Sequence, residues 1–266
     1  MDLQLSGKHI LITGGSKGIG LACAHAFLDE GANVSLVSRD AANLQRAAAA
    51  LRDAHPGAAA RIATYAADTG DAAQALAALE QAEAATGLID VLVNSAGAAR
   101  RTPANELLPQ SWADAMQAKY FACVYMLDAV VKRMARRGSG AIVNVIGAGG
   151  KVASSIHMAG GAANAALMLV TAGMANTYAP QGVRVNAVNP GLTLTDRMAE
   201  GLAADARVQG ISPAEALQRA QARQPLGRIA KPEEIAAAVV FLASPRASYI
   251  SGAILAMDGA VTPMVV

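Results

Sequence analysis

Aromatic residues are scarce. Phe, Tyr and Trp together make up 3% of the chain and Trp occurs once, a balance that favours helices over aromatic-rich sheets. Cysteine is limited to Cys23 and Cys123, each inside an apolar helical pattern. Neither a disulfide framework nor a thiolate metal site is expected, and a reducing cytosol fits. Charge is also thin, at 16% of residues with a formal net charge of +2. So weak a field argues against nucleic acid or an acidic membrane surface as partner. No stretch holds about 18 apolar residues without polar interruption, and the opening "MDLQLSGKHILITGG" lacks a charged segment followed by a continuous apolar run. The chain is expected to be soluble, unprocessed and cytoplasmic. No internal repeat or low-complexity linker divides it.

What is present is an alternation. Short β-branched runs, "KHILIT", "NVSLVS", "ARIATYA", "DVLVNS", "AIVNVI", "VRVNAVN" and "GAILAMD", recur with helical patterns between them. This implies parallel strands joined by helical crossovers and covered on both faces. The spacing predicts helices at roughly 18–30, 40–54, 70–86, 111–137, 156–179 and 232–243. All 266 residues are read as one domain. Residues 192–226 break the alternation: they are helical in pattern, follow "NPG" and contain no strand. An insertion beyond a strand's carboxyl end lies where open α/β sheets bind ligands, so this segment is read as a substrate lid.

The first strand runs directly into "TGGSKGIG" and then a helix. Gly14, Gly18 and Gly20, with Ser16, Lys17 and Ile19 around them, permit a tight turn and close approach of a pyrophosphate to backbone amides. The second strand ends in Ser38 and Arg39, with no carboxylate at the position that would accept from a free ribose 2′-hydroxyl. Lys17 and Arg39 can flank a 2′-phosphate, which favours NADP(H) over NAD(H); two solvated surface cations are the alternative.

On these motifs, together with "DVLVNSAG", "AIVNV", "VRVNAVNPG", "PLGRIAKPEEIAAAVVFLAS" and "YISGAILAMDGA", the chain resembles a short-chain dehydrogenase/reductase over nearly its whole length. The resemblance implies a single Rossmann-type, doubly wound α/β domain of about seven parallel strands, and a homotetramer or homodimer. It also implies that Asp68 contacts the adenine, that Asn94, Ala96 and Gly97 line the adenosine side, and that Pro190, Gly191 and Thr195 border the nicotinamide. Ser95 stands where the family commonly has Asn.

The same resemblance implies a tetrad of Asn, Ser, Tyr and Lys, whose Tyr gives a proton while hydride arrives from the nicotinamide. The four positions fall on Lys119, counted from Trp112, on Gly147 in "IVNVIG", and on Gly160 and Asn164 in "GGAANAAL". All four read as substituted. No other register restores the motif, since Tyr65, Tyr120, Tyr125, Tyr178 and Tyr249 are followed four residues later by Thr69, Val124, Ala129, Gly182 and Ala253. Space is expected where the ring and the Lys stem are missing. Gly160 and Gly161 cost about 1 kcal/mol each in a helix interior relative to Ala. His157 would share a helical face with Gly160 and Asn164, and Lys119 would reach the region of the absent Lys. His157 and Lys119 are therefore the candidates for proton handling, against the alternative of an ordinary polar residue and a solvent-facing amine. Ser154 and Ser155 are expected to cap the helix. Three functions remain open: an atypical NADP(H)-dependent oxidoreductase on a small carbonyl, a catalytically silent NADP(H)-binding sensor or partner subunit, or a hydrolase or lyase using Lys119 as an amine nucleophile.

Overall fold

A computed structural model describes residues 1–97 and 101–263, apart from the side chains of residues 200, 204, 205 and 208. Among these residues seven strands form one parallel sheet: β1 (His9–Thr13), β2 (Asn33–Ser38), β3 (Ile62–Ala66), β4 (Val91–Asn94), β5 (Gly140–Val145), β6 (Val183–Pro190) and β7 (Ile254–Met257). Their spatial order is β3-β2-β1-β4-β5-β6-β7, the Rossmann-type doubly wound arrangement. The strand order reverses between β1 and β4, which opens a crevice above the carboxyl ends of these strands.

Alternation along each strand assigns the two faces. Ile10, Ile12, Val34, Leu36, Val91 and Val93 pack with α1 (Gly18–Asp29), α2 (Ala41–Ala54) and α9 (Pro232–Ala243). Leu11, Val37, Leu92, Ile142 and Val185 point the other way, onto α3 (Ala72–Thr86), α5 (Ala122–Arg137) and α6 (Met158–Tyr178). Burial on both faces is why these strands read as nearly continuous apolar runs.

The long helix predicted at 111–137 is not uniform. It consists of α4 (Pro109–Ala115), a π-helical turn at Met116–Phe121 and then α5. The 192–226 interval holds two helices, α7 (Asp196–Gln209), capped by Thr195, and α8 (Pro213–Ala222), capped by Ser212. Its two ends are tied together: Leu194 N–H donates to the Ala230 carbonyl and Ala230 N–H to that of Leu192. Residues Met158–Gln181 are long and apolar enough to cross a membrane by length and composition. Here, however, α6 lies against the sheet and buries Ala163, Leu167, Thr171 and Ala175.

Candidate active site and nucleotide cleft

The glycine loop is built by backbone proximity. Gly14 has φ +66°, and a Cβ there would stand 2.8 Å from the backbone of Ser95 and Ala96. A Cβ on Gly20 would stand 2.3 Å from the Gly14 carbonyl oxygen, so α1 packs against the loop at a distance only glycine allows. Lys17 is the N-cap of α1 and offers no capping bond. The first amides of the helix are thereby left to a ligand, and an anionic pyrophosphate fits them. Thr195 closes the loop from above, with its methyl 3.2 Å from where a Cβ on Gly18 would lie.

Ser16 Oγ donates to Ser38 Oγ at 3.0 Å, joining this loop to the end of β2. Lys17 and Arg39 are exposed beside the pair. The adjacent carboxylate, Asp40, accepts from the Asn43 N–H and caps α2. This arrangement suits a 2′-phosphate better than a free ribose hydroxyl.

The remaining cleft residues line up along the carboxyl edge. Asp68 accepts from the Gly70 N–H at 2.9 Å. Asn94 is buried, its amide donating to Asn144 Oδ1 at 3.0 Å and its oxygen accepting from Thr13 at 3.4 Å. Asn144 in turn donates to Thr171 at 3.0 Å, so a buried polar chain pins β1, β4, β5 and α6 to one another. Ala96 N–H donates to Thr13 Oγ1. Pro190 ends β6, and Gly191 comes so close to Asp258 that a Cβ would stand 3.0 Å from it. Ile19 packs on the core.

Lys119 sits in the π-helical turn, a feature often found at functional sites. Its ammonium donates to the Ile146 carbonyl at 3.3 Å, next to Gly147. Burial, and then the Arg197 guanidinium, bring its pKa down to about 8. The neighbouring thiol of Cys123 is pushed up to about 12 by burial and stays neutral. Asn164, wholly buried, donates to the Gly147 carbonyl at 3.4 Å, while its Oδ1 has no partner.

His157 is the N-cap of α6, with φ −140°. The helix therefore starts at Met158, and the predicted caps Ser154 and Ser155 are exposed loop residues instead. His157 and Asn164 both border Gly149: a Cβ there would be 3.1 Å from the imidazole Cδ2 and 3.7 Å from the Asn164 amide nitrogen. Burial, then Lys119, Arg101 and Arg197, hold the imidazole down at about 4, and its Nδ1 is buried without a partner.

Much of the expected space is closed. A Cβ on Gly161 would lie 2.7 Å from the Gly149 carbonyl oxygen, and one on Gly150 would lie 2.8 Å from Asn164 Cβ and Ala165 N. Glycine lets the β5–α6 loop and the helix backbone touch. Gly160 is buried in the same turn of α6.

Two residues the motif reading passed over complete the site. Arg197, in the first turn of α7, donates to the Gly97 carbonyl at 2.7 Å. Arg101 lays its guanidinium 3.8 Å from the Cβ position of Gly201. The signal for Arg197 was its place as the first cation after "NPG" in the presumed lid.

Residues 14–262 match the family model described as enoyl-(acyl carrier protein) reductase. D-threitol dehydrogenase of Mycolicibacterium smegmatis is 39% identical over 98% of this chain and 95% of its own. The chain belongs to the short-chain dehydrogenase/reductase family. L-sorbose reductase of Gluconobacter frateurii, solved with NADPH and L-sorbose, superposes with a TM-score of 0.92 at 31% identity, covering 100% of both chains. An NADPH-bound short-chain oxidoreductase of Pseudomonas aeruginosa, described as containing an atypical catalytic center, gives 0.88 at 33% identity over 98% of this chain and 99% of that one.

Proposed function

We infer that the protein is an NADP(H)-dependent oxidoreductase that interconverts a ketone and a secondary alcohol on a small polyhydroxylated or related substrate, with Lys119 as proton donor in place of a tyrosine. The observation that carries this reading is a partly buried lysine, held at a pKa of about 8 in a π-helical turn, beside the loop that ends β5. The four tetrad positions are Lys119, Gly147, Gly160 and Asn164, and none of them bears the family's usual residue. The D-threitol, L-sorbose and NADPH named for the relatives support the substrate class and the cofactor.

NADPH, when bound, supplies a hydride to the carbonyl carbon. Lys119 holds a proton at Nζ and gives it to the carbonyl oxygen as negative charge develops there, a role suited to a group titrating close to the working pH. His157 is neutral throughout this range, so it accepts or positions and does not act as the acid. Gly14, Ser16, Lys17, Gly18, Ile19, Gly20, Ser38 and Arg39 hold the phosphates and ribose. Asp68, Asn94, Ala96 and Gly97 border the adenosine side, and Pro190, Gly191 and Thr195 the nicotinamide. Residues 192–226 act as the lid over this one domain.

The test is NADPH oxidation with a panel of ketoses and small ketones, and NADP+ reduction with the matching polyols, for wild type and Lys119→Met. Turnover that disappears in Lys119→Met with NADPH affinity retained is the expected result. Undiminished turnover in that variant overturns the role of Lys119. NADPH binding with no turnover on the panel supports a silent sensor instead.

A further inference from the structure

The active site engages one of the chain's 4 histidines, His157. His9 is taken up by structure: it is buried, with one ring nitrogen 2.7 Å from the Gly87 carbonyl oxygen and the other 2.8 Å from Ser35 Oγ. The remaining two, His25 and His55, meet between α1 and α2. His25 Nδ1 stands 3.0 Å from His55 Nε2, and the rings are tilted by 43° with centroids 5.2 Å apart, so nitrogen faces nitrogen across the gap. The other nitrogen of His55, Nδ1, is 3.4 Å from Asp29 Oδ1.

Both rings hang on fixed backbone. His25 and Asp29 are four residues apart on α1 and share one of its faces. His55 is the C-cap of α2: its N–H donates to the Leu51 carbonyl, and its own carbonyl accepts from Ala58 in the 3-10 turn Pro56–Arg61. Arg61 ties that turn back to the end of α1, donating to the Leu28 carbonyl at 3.3 Å and to that of Ala32 at 2.8 Å. The carboxylates that act on His25 are Asp29 and, from the first turn of α9, Glu233.

Two imidazole nitrogens at this separation share either a proton or a metal ion. Metal–nitrogen bonds of about 2.0–2.1 Å, set between a right angle and a tetrahedral one, hold their nitrogens about 2.9–3.4 Å apart. Imidazole suits copper, nickel and zinc. A ligating histidine characteristically gives its other ring N–H to a carboxylate, which is the place Asp29 takes beside His55. That carboxylate keeps the His55 proton on Nδ1 and leaves Nε2 as a lone pair, while His25 offers Nδ1 in its other neutral tautomer. Among the described residues no three or more His, Cys, Asp or Glu side chains gather into a closed cage, so the remaining coordination positions fall to water.

We propose that His25 Nδ1 and His55 Nε2 chelate one divalent transition-metal ion, of the copper, nickel and zinc class, with Asp29 as the carboxylate partner of His55. The ion clips the end of α2 to α1. The site is independent of the redox reading above, and a proton shared by the two rings is the competing account.

Calorimetry and thermal melts of the full-length, EDTA-stripped protein with Cu2+, Ni2+, Zn2+ and Mg2+ at neutral pH test it. One equivalent of each transition ion should bind and raise Tm, Cu2+ most tightly, and Mg2+ should do neither. His25→Gln and His55→Gln should each weaken Cu2+ binding by more than about tenfold, and Asp29→Asn by about tenfold. Retained NADPH affinity without metal reports that a variant is folded. Asp29, being exposed, supplies the variant that answers should a histidine variant not fold. In wild type the electron paramagnetic resonance spectrum of bound Cu2+ should show coupling to two imidazole nitrogens. Coupling to one nitrogen, or a Cu2+ affinity equal in wild type and every folded variant, overturns the metal site and leaves a proton-sharing pair.

Discussion

Replacing Lys119 by Met should make the protein more stable and inactive. The amine titrates at an ordinary 10.5 in the unfolded chain and at about 8 in the folded one, chiefly because burial disfavours its charge. At about 1.4 kcal/mol per pH unit, that displacement is worth about 3 kcal/mol, an upper bound given the side chain's partial exposure. Between these two pKa values the unfolded chain binds more protons, so stability rises with pH through the window. Below about pH 8 the full cost of the buried ammonium is present; above about 10.5 it is gone. Methionine keeps the length of the stem and carries no charge, but it loses the bond to the Ile146 carbonyl, worth about 1 kcal/mol. Lys119→Met should therefore gain about 2 kcal/mol at pH 7 and lose about 1 kcal/mol near pH 10.5. Urea unfolding of both proteins without nucleotide, at the two pH values, reads the difference directly. A variant that is less stable at pH 7, or a difference that does not change with pH, would refute the assignment of a buried, charge-disfavoured amine. A gain in stability coupled to loss of turnover is the pattern expected where a site keeps a strained group for chemistry.

With Lys119 as the acid, the reduction rate of wild type should fall as pH rises through about 8 while alcohol oxidation rises, and His157→Gln should keep that alkaline limb; a limb that vanishes with His157 would assign the proton to the imidazole. Arg39→Ala should weaken NADPH binding by roughly tenfold through loss of a charge-assisted bond and leave NADH affinity as it was, which titration calorimetry resolves. Two alanines in one helix should act oppositely. Gly173 has nothing within 4 Å of its Cβ position, so Gly173→Ala raises stability by about 0.5–1 kcal/mol. Gly161→Ala drives a methyl to 2.7 Å from the Gly149 carbonyl oxygen and costs about 1–3 kcal/mol; equal thermal shifts in the two variants would contradict the close approach.

The fold was legible because it is written in repeated local signals. Seven β-branched runs became seven strands, and glycine is demanded at 14 and 20 by backbone distances that any side chain would violate and at 18 by a φ of +53°. Helix boundaries moved by a residue or two where cap geometry decided them, as at Met158. The π-helical turn was not legible, because a helical pattern across 111–137 has the same apolar spacing with or without one wider turn. The site was half legible. Counting from Trp112 placed Lys119, yet its lowered pKa comes from burial and from Arg197, which no local pattern in the sequence connects to it. Asn94 was assigned to the adenosine side by its place in "NSAG", and only the structure shows its side chain turned inward to Thr13 and Asn144.

The glycine-rich stretch 147–161 shows why residue-by-residue substitution misdescribes such a site. Gly147 has φ +133°, a region that disfavours every L side chain, and a Cβ there would meet the Asn164 amide at 3.2 Å. Asn164 uses that amide to hold the Gly147 carbonyl, and Gly150 lies against Asn164 Cβ. Each residue therefore sets the conditions for the others: the loop can approach α6 because positions 149, 150 and 161 lack side chains, and it stays there because position 164 is short and polar. Returning a serine to 147 alone meets both backbone strain and the amide. Returning a lysine to 164 alone removes the bond that fixes the loop. The usual cation could return to 164 only with the loop rebuilt around it, and the reading proposed above accordingly draws the proton from a different element, the π-helical turn that carries Lys119.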